Sequence, residues 1–486
     1  MNNNQFHLLK GKILSGTLVL VVRDFGLKIL SVLGQIVLVR LIAPEYFGVF
    51  AIIIFVTSIA ELFSDFGLTQ AIIREKNNLS HEQLSTIFFI RVGLSIGAFL
   101  LLLLAFPVIK SFYHQLTDEN FLMVSFLGLV IVIKSIRGIF MALFDRELNF
   151  HVVTRIDLIG IIVYFVTAIT LAYLQFFLWN FVIAIFLKET VELLLSVYYK
   201  RWIPGFICNI TSIRSMIRYG SFLQLGNFIL LADKSMAPLV GSKLSAYHIG
   251  LLDWSSSVAG LSNTIFENYG RAAFAGIAKI QDRKDKISIF INKSASTLNV
   301  FAFLFILLVF ANAKEFILLV LTEKWVAALP ALYWFAASTI FFGGSVAIAH
   351  AILASGNSKE AVVISGRNVL FQLALAFALV NFVGFYGIAI ASFFGSMTLF
   401  VGYYLYGKKM GLSIELKRTF FDKSIVFLLT ATGVVMLNNV LTHTSFITLF
   451  IKTFLILTLY FCFLFIFSRH DITEIKKAIL IVLAKK

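Results

Sequence analysis

Phe446-Ile-Thr-Leu-Phe-Ile-Lys-Thr-Phe-Leu-Ile-Leu-Thr-Leu-Tyr-Phe-Cys-Phe-Leu-Phe-Ile-Phe467 carries one charged residue, Lys452, in a run of otherwise apolar and hydroxyl side chains. About twenty residues is the length a helix needs to cross roughly 30 Å of hydrocarbon. Upstream the pattern repeats: apolar stretches of this length recur back to Ile13, separated by short polar breaks. Lipid offers no partner to a bare peptide group, so only helices and closed barrels span it. A barrel would show short alternating strands, and the sequence reads otherwise. The expectation is an all-α membrane protein.

Composition agrees. Of 486 residues, 59% are hydrophobic and 14% charged, with a mean hydropathy of +0.93. That is too little polar surface for a soluble fold. Spans are expected near 14–39, 46–68, 86–109, 120–142, 155–174, 178–199, 216–240, 246–270, 288–311, 328–353, 361–381, 385–406, 424–441 and 446–467, about fourteen in all. Met1 to Lys12 is Asn-rich and mildly basic, and the first apolar run is too long for a leader, so no cleavable signal peptide is expected. Cys208 and Cys462 have neither zinc-site nor disulfide-framework spacing. His470 to Lys486 is too short and charged to span. Its Ile472, Ile475, Ile479 and Val482 form an apolar stripe suited to the cytoplasmic interface.

The net charge of +16 would suggest nucleic acid in a soluble protein. Here basic residues mark cytoplasmic loops, and no nucleic-acid partner is expected. About 28 of the 41 Lys and Arg fall in the termini and alternate loops, about five (Arg40, Lys110, Lys243, Lys314 and Lys324) on the other side, and about eight within helices. Both termini are therefore expected in the cytoplasm.

The chain also echoes itself at an offset of roughly 200 residues. Leu41–Gly48 corresponds to Val240–Gly250, Arg74–Glu82 to Lys279–Lys286, and Ala142–Leu148 to Ala351–Asn357. A six-helix unit returns the chain to its starting side, so two copies are parallel, with a substrate site expected where they meet. The expected organisation is an N-terminal six-helix lobe over 1–205 and a C-terminal one over 206–410 around a central cavity. Residues 411–486 then hold two further helices and the interfacial tail.

Charges inside spans are costly, about 2.5–3.5 kcal/mol on insertion scales, and normally face a partner or a wet cavity. They concentrate in the first two spans (Arg23, Asp24, Lys28, Glu61, Asp65) and in the seventh and eighth (Asp233, Lys234, Asp253, Glu267, Arg271). The sixth adds Lys188, Glu189 and Glu192. A cavity lined by these helices is one explanation. The other is structural pairing, as the four-residue spacing of Asp24 with Lys28 and of Lys188 with Glu192 allows. Lys134 and Arg137 are expected to snorkel, and Glu61 and Asp65, one turn apart near the interface, either to line the cavity or simply to be solvated. Arg23, in mid-span, suits bidentate recognition of a phosphate. Gly26, Gly34, Gly226 and Gly260 permit close packing or bending, and Pro238 a bend in the seventh span.

The sequence has no phosphate-cradling GxxxxGK[ST], no HExxH or Cys/His cluster for a metal and no GxSxG elbow. The outward loops are short. Transport is favoured over an enzyme, and no cofactor is expected.

Val39-Arg-Leu-Ile-Ala-Pro-Glu-Tyr-Phe-Gly-Val-Phe50 and Phe63-Ser-Asp-Phe-Gly-Leu68 resemble the opening of the polysaccharide-exporting flippases of the multidrug/oligosaccharidyl-lipid/polysaccharide exporter superfamily. Phe144-Asp-Arg-Glu-Leu-Asn-Phe150, Lys324-Trp-Val-Ala-Ala-Leu-Pro330, Ile352-Leu-Ala-Ser-Gly-Asn357 and Gly384-Phe-Tyr-Gly-Ile-Ala389 extend the resemblance over roughly 10–410. It implies alternating access and an undecaprenyl-diphosphate-linked oligosaccharide carried from the cytoplasmic to the periplasmic face of the bacterial inner membrane, for O-antigen, capsule or exopolysaccharide assembly. It also implies cations that engage the diphosphate, with Arg23, Lys28, Lys188, Lys234 and Arg271 on suitable helices. Proton or sodium coupling would fall to Asp24, Asp233, Asp253 or Glu267. A polysaccharide polymerase and chain-length machinery are candidate partners beside the lipid bilayer. The readings left open are a drug or cation antiporter of the same superfamily and a membrane glycan polymerase or ligase.

Overall fold

The computed structural model describes residues 26–75, 79–277, 283–441 and 443–468. These form two compact units, Met1–Gly250 and Leu251–Lys486, and all regular structure among them is helical. The first unit holds α1 (26–41), α2 (Pro44–Asp65), the short α3 (Leu68–Arg74), α4 (His81–Phe112), α5 (Asn120–Arg146), α6 (Phe150–Tyr173), α7 (Trp179–Lys200), α8 (Arg214–Lys234) and the short α9 (Met236–Leu239). The division falls within α10 (Ala246–Ile277). The second unit continues with α11 (Lys284–Val320), α12 (Leu329–Ala354), α13 (Ser358–Val383), α14 (Tyr386–Lys409), α15 (Asp422–Val440) and α16 (Phe446–Phe467). It thus includes the two helices that the sequence assigned to a separate segment beyond 410.

Among the described residues, 10 helices are long and apolar enough to cross a membrane: α2, α4, α5, α6 and α11 through α16. The chain is a multi-pass membrane protein. Four more long helices stand where spans were expected. Description of α1 begins at residue 26, within its expected span, while α7 carries Lys188, Glu189, Glu192 and Lys200. In α8 and α10, Ser, Asn and Gly interrupt the apolar residues. The expected seventh span is also broken: α8 stops at Lys234, and Pro238 lies in α9 beyond Ser235. Residues 470–486, the expected interfacial tail, lie outside the described residues.

Local signals set the helix ends. Pro44 sits in the first turn of α2, where its missing N–H costs no helical hydrogen bond. Phe66 and Gly67 at φ 47° and 69° reverse the chain into α3. Ser80 and Gln83 form a capping box on α4. Large apolar side chains such as Leu101, Leu104 and Phe112 lie exposed along the outside of α4, as lipid-facing residues do.

Each unit uses the same polar strap, at the spacing of the sequence echo. After α7, the Gly205 amide donates to Ser85 Oγ at 2.9 Å and the Asn209 amide to Thr86 Oγ1 at 2.9 Å, fastening the connector to the start of α4. After α14, the Ser413 amide donates to Ser288 Oγ at 2.9 Å and the Glu415 amide to Asn292 Oδ1 at 2.9 Å, near the start of α11. The peptide groups of an irregular segment are thereby satisfied by side chains of a neighbouring helix. A second echo lies in the first unit, where Gly48 and Gly250 meet. A Cβ on Gly48 would strike the Ala246 carbonyl, and one on Gly250 the Pro44 carbonyl. Of the glycines singled out from sequence, Gly34 packs tightly, against the Phe165 ring; at Gly26, Gly226 and Gly260 an added Cβ would meet nothing within 4 Å.

In the second unit, α15 and α16 pack on α11 through Val300, Phe303, Leu307, Val426, Val434, Ile456, Tyr460 and Leu464. Two polar ties cross this apolar seam. Tyr460 Oη donates to the Val300 carbonyl at 2.8 Å, and Lys452 Nζ pairs with Glu315 at 2.7 Å. Lys452, the lone charge in its span, is 2% exposed. A buried ion left without its counter-ion typically costs about 3–5 kcal/mol, whereas an apolar pair of similar volume is often neutral. Lys452→Ala should therefore lower the melting temperature of the detergent-purified protein, and Glu315→Met/Lys452→Met should restore most of the loss. An unchanged Lys452→Ala melting curve would refute a structural role for the pair.

Candidate functional site

Eight charged residues of the first unit form a network of ion pairs between α2, α4, α5 and α7. At the end of α2, Asp65 accepts from Thr69 Oγ1 at 2.6 Å and pairs with Arg91 of α4 at 3.2 Å. Arg91 Nη1 donates to the same Thr69 hydroxyl at 2.6 Å, so α3 is bound into the group. This guanidinium is 4% exposed, and Gly138 of α5 makes room for it: a Cβ there would lie 2.7 Å from Arg91 Nη2. One turn earlier on α2, Glu61 accepts from Lys134 of α5 at 2.9 Å.

Farther along α5, Arg137 bridges two carboxylates of α7. It lies 3.1 Å from Glu189 and is hydrogen-bonded to Glu192. Lys188 closes the group at 3.1 Å from Glu189 and 3.6 Å from Glu192. Glu189 and Glu192 are 3% and 1% exposed. A Cβ on Gly160 of α6 would collide with the Glu192 carboxylate, so glycine provides its berth. Asp157, one turn before Gly160, is within electrostatic reach of Glu192.

Several expectations change here. Lys134 and Arg137 do not snorkel; each has a carboxylate within reach, and pairing satisfies a cation without stretching it to the interface. Glu61 and Asp65 are paired rather than simply solvated. Of the residues named for substrate or ion binding, Lys188 alone enters the network, with two carboxylates already beside it. Lys28 on α1 is half-buried, and no ion pair engages it among the described residues. Asp233 and Lys234 are exposed in the last turn of α8. On α10, Asp253 is half-buried without an ion-pair partner among the described residues, and Glu267 is exposed. Arg23 and Asp24 lie outside the described residues, as does the side chain of Arg271.

Sequence reasoning missed Arg91 and the partnership of α5 with α7. Part of the signal for the latter was present: Glu189 and Glu192, three residues apart, lie on one face of α7, where Arg137 meets both while Lys134 goes to Glu61. Among the described residues, no group of three His, Cys, Asp or Glu side chains could hold a metal ion.

A bundle of long apolar helices tied together by ion pairs is the architecture of a polytopic membrane protein. The sequence pattern of the family described as "Polysaccharide biosynthesis protein" matches residues 37–330, and the chain belongs to that family. It is 26% identical over 310 residues to the lipopolysaccharide biosynthesis protein WzxC of Escherichia coli K12, covering 62% of each chain. It is 23% identical over 284 residues to the teichuronic acid biosynthesis protein TuaB of Bacillus subtilis 168, covering 57% of each. The chain thus spans about three-fifths of the length of these curated relatives. Its fold is similar to that of the lipid II flippase MurJ, a structure described as being in an inward closed conformation, with a TM-score of 0.73 at 13% identity over 93% of this chain and 99% of that one. An inward-facing multidrug resistance MATE transporter also matches, with a TM-score of 0.60 at 16% identity over 78% and 94%.

Removal of Arg137 leaves two enclosed carboxylates with Lys188, itself partly exposed, as their one remaining counter-ion among the described residues. Arg137→Gln should lower thermal stability by about 3–5 kcal/mol, and Arg137→Gln/Glu189→Gln/Glu192→Gln should recover much of it. Likewise, Gly160→Ala should be tolerated far better with Glu192→Ala than alone. Melting curves of the purified variants test both statements, and the absence of rescue would count against a closed network.

Proposed function

We propose that this protein is a flippase that moves an undecaprenyl-diphosphate-linked oligosaccharide from the cytoplasmic to the periplasmic face of the bacterial inner membrane by alternating access. The product would feed O-antigen, capsule or exopolysaccharide assembly. The observation that carries this reading is membership of a polysaccharide biosynthesis family joined to an all-helical fold like that of a lipid-headgroup flippase. Physical logic supports it: a diphosphate and its sugars need a polar, cationic route, while the isoprenoid tail is at home in lipid. Such a carrier needs no catalytic residues of its own.

On this reading the chain has fourteen spans, both termini lie in the cytoplasm, and six-helix lobes over 1–205 and 206–410 work against each other. Arg23, Lys28, Lys188, Lys234 and Arg271 are the candidate ligands of the diphosphate. Lys28 and Lys234 are the readier of the described cations, because Lys188 is already engaged by Glu189 and Glu192. A proton or sodium gradient would act through Asp24, Asp233, Asp253 or Glu267; Asp253 is favoured because it is half-buried on α10 with no ion pair among the described residues. A polymerase and chain-length machinery would take the product.

Proteoliposomes holding the purified protein and a fluorescent lipid-linked oligosaccharide should move that lipid between leaflets, read by its access to a membrane-impermeant quencher. Arg23→Ala and Lys28→Ala should each slow the movement about tenfold, equivalent to one lost charge-assisted contact, at unchanged membrane levels. Normal rates in both variants would remove these residues as ligands. Absence of lipid movement, with export of a cationic drug instead, would replace the flippase by an antiporter. A change in glycan length in the same vesicles would indicate a polymerase or ligase.

A further inference from the structure

In the second unit, a groove of about 560 Å³ lies between α13 and α14. Its walls combine apolar residues, including Val363, Ile364, Phe371 and Leu405, with Glu360, Arg367, Asn368 and Lys409. Phe371 and Leu405 are exposed on the same helices, so the groove opens to lipid. Glu360 and Lys409 lie at the adjoining ends of the two helices. Arg367 lies nine residues from the start of α13, roughly 14 Å along its axis at 1.5 Å per residue.

The polar groups are arranged for a ligand. No ion pair engages Arg367 or Lys409 among the described residues, although each lines the groove. Asn368 is 6% exposed; its Oδ1 accepts from Thr398 Oγ1 at 2.8 Å, which fixes the amide. Its Nδ2 has no partner among the described residues and is left to the groove. An amide donor held in place by Thr398 and a nearby guanidinium, both facing the groove at depth, call for an anion that reaches them from the bilayer.

We propose that this groove binds an anionic glycerophospholipid of the phosphatidylglycerol class. Its phosphodiester sits between Arg367, Lys409 and Asn368 Nδ2, and Glu360 accepts from a headgroup hydroxyl. An acyl chain lies along Ile364, Phe371 and Leu405. Two cations against one carboxylate favour a net anion over a zwitterionic lipid. The volume suits a headgroup and part of a chain, and we assign the occupant as a structural lipid rather than the transported one.

Native mass spectrometry of the detergent-purified full chain, titrated with phosphatidylglycerol, tests this. Arg367→Gln/Lys409→Gln should weaken binding about tenfold. Asn368→Asp, which keeps the side-chain size and adds an anion, should weaken it comparably. Lys408→Gln should change nothing, because Lys408 lies over the Tyr404 ring at 5.0 Å and outside the groove lining. Equal binding by the double variant, or equal binding of phosphatidylcholine, overturns the proposal. Displacement of the lipid by inorganic phosphate would make this a free-phosphate site and also overturns it. So would displacement by polyprenyl diphosphate below the concentration at which phosphatidylglycerol itself binds. None of these outcomes bears on lipid movement in the vesicle assay, so this inference and the flippase reading fail independently.

Discussion

A charge surrounded by hydrocarbon needs an opposite charge, a hydrogen-bonding partner or water beside it, and the first unit meets that need chiefly with ion pairs. Arg91, Lys134 and Arg137 enter from α4 and α5, and carboxylates from α2 and α7 meet them. The pairs fix how these helices face one another, since a rotation of either member would separate an ion from its partner. Gly138 and Gly160 belong to the same arrangement, because they supply the space in which Arg91 and Glu192 lie. Apolar packing among lipid-like side chains has little directional preference. The ion pairs add the direction.

The second unit meets the same requirement more sparingly. Its buried pair, Glu315 with Lys452, sits within an otherwise apolar seam, and Lys423 donates to the Arg418 carbonyl at 2.6 Å beside a π-helical turn. Hydrogen bonds of the connectors to Ser85 and Thr86 in one unit, and to Ser288 and Asn292 in the other, hold the segments that join successive helices. These are modest interactions individually, about 0.5–1.5 kcal/mol each, but they settle the path of backbone that would otherwise be unpaired.

Helix type and approximate position were legible because about twenty apolar residues in succession have few structural solutions. The matched spacing of Leu41–Gly48 and Val240–Gly250 was legible too, although the contact between Gly48 and Gly250 was not, since spacing gives correspondence rather than touch. The charges were visible as charges. Their partners were hidden because a pair such as Lys134 with Glu61 joins residues far apart in sequence. Local rules found Lys188 with Glu192, which share one helix, and misjudged Arg137, whose partners lie on another. The break before Pro238 was signalled by that residue, yet hydropathy alone drew one span through it.

The bridge from Arg137 to Glu189 and Glu192 also bears on biogenesis. As α5 is made, a carboxylate on α2 is already available for Lys134, but those for Arg137 have yet to be synthesised. α7 in turn carries a charge load that disfavours solitary entry into the bilayer. Until α7 arrives, α5 carries an unpaired Arg137 at a cost of about 2.5–3.5 kcal/mol, which pairing with Glu189 and Glu192 then offsets. Order of synthesis, and not only final stability, is thus written into where these ions stand along the chain.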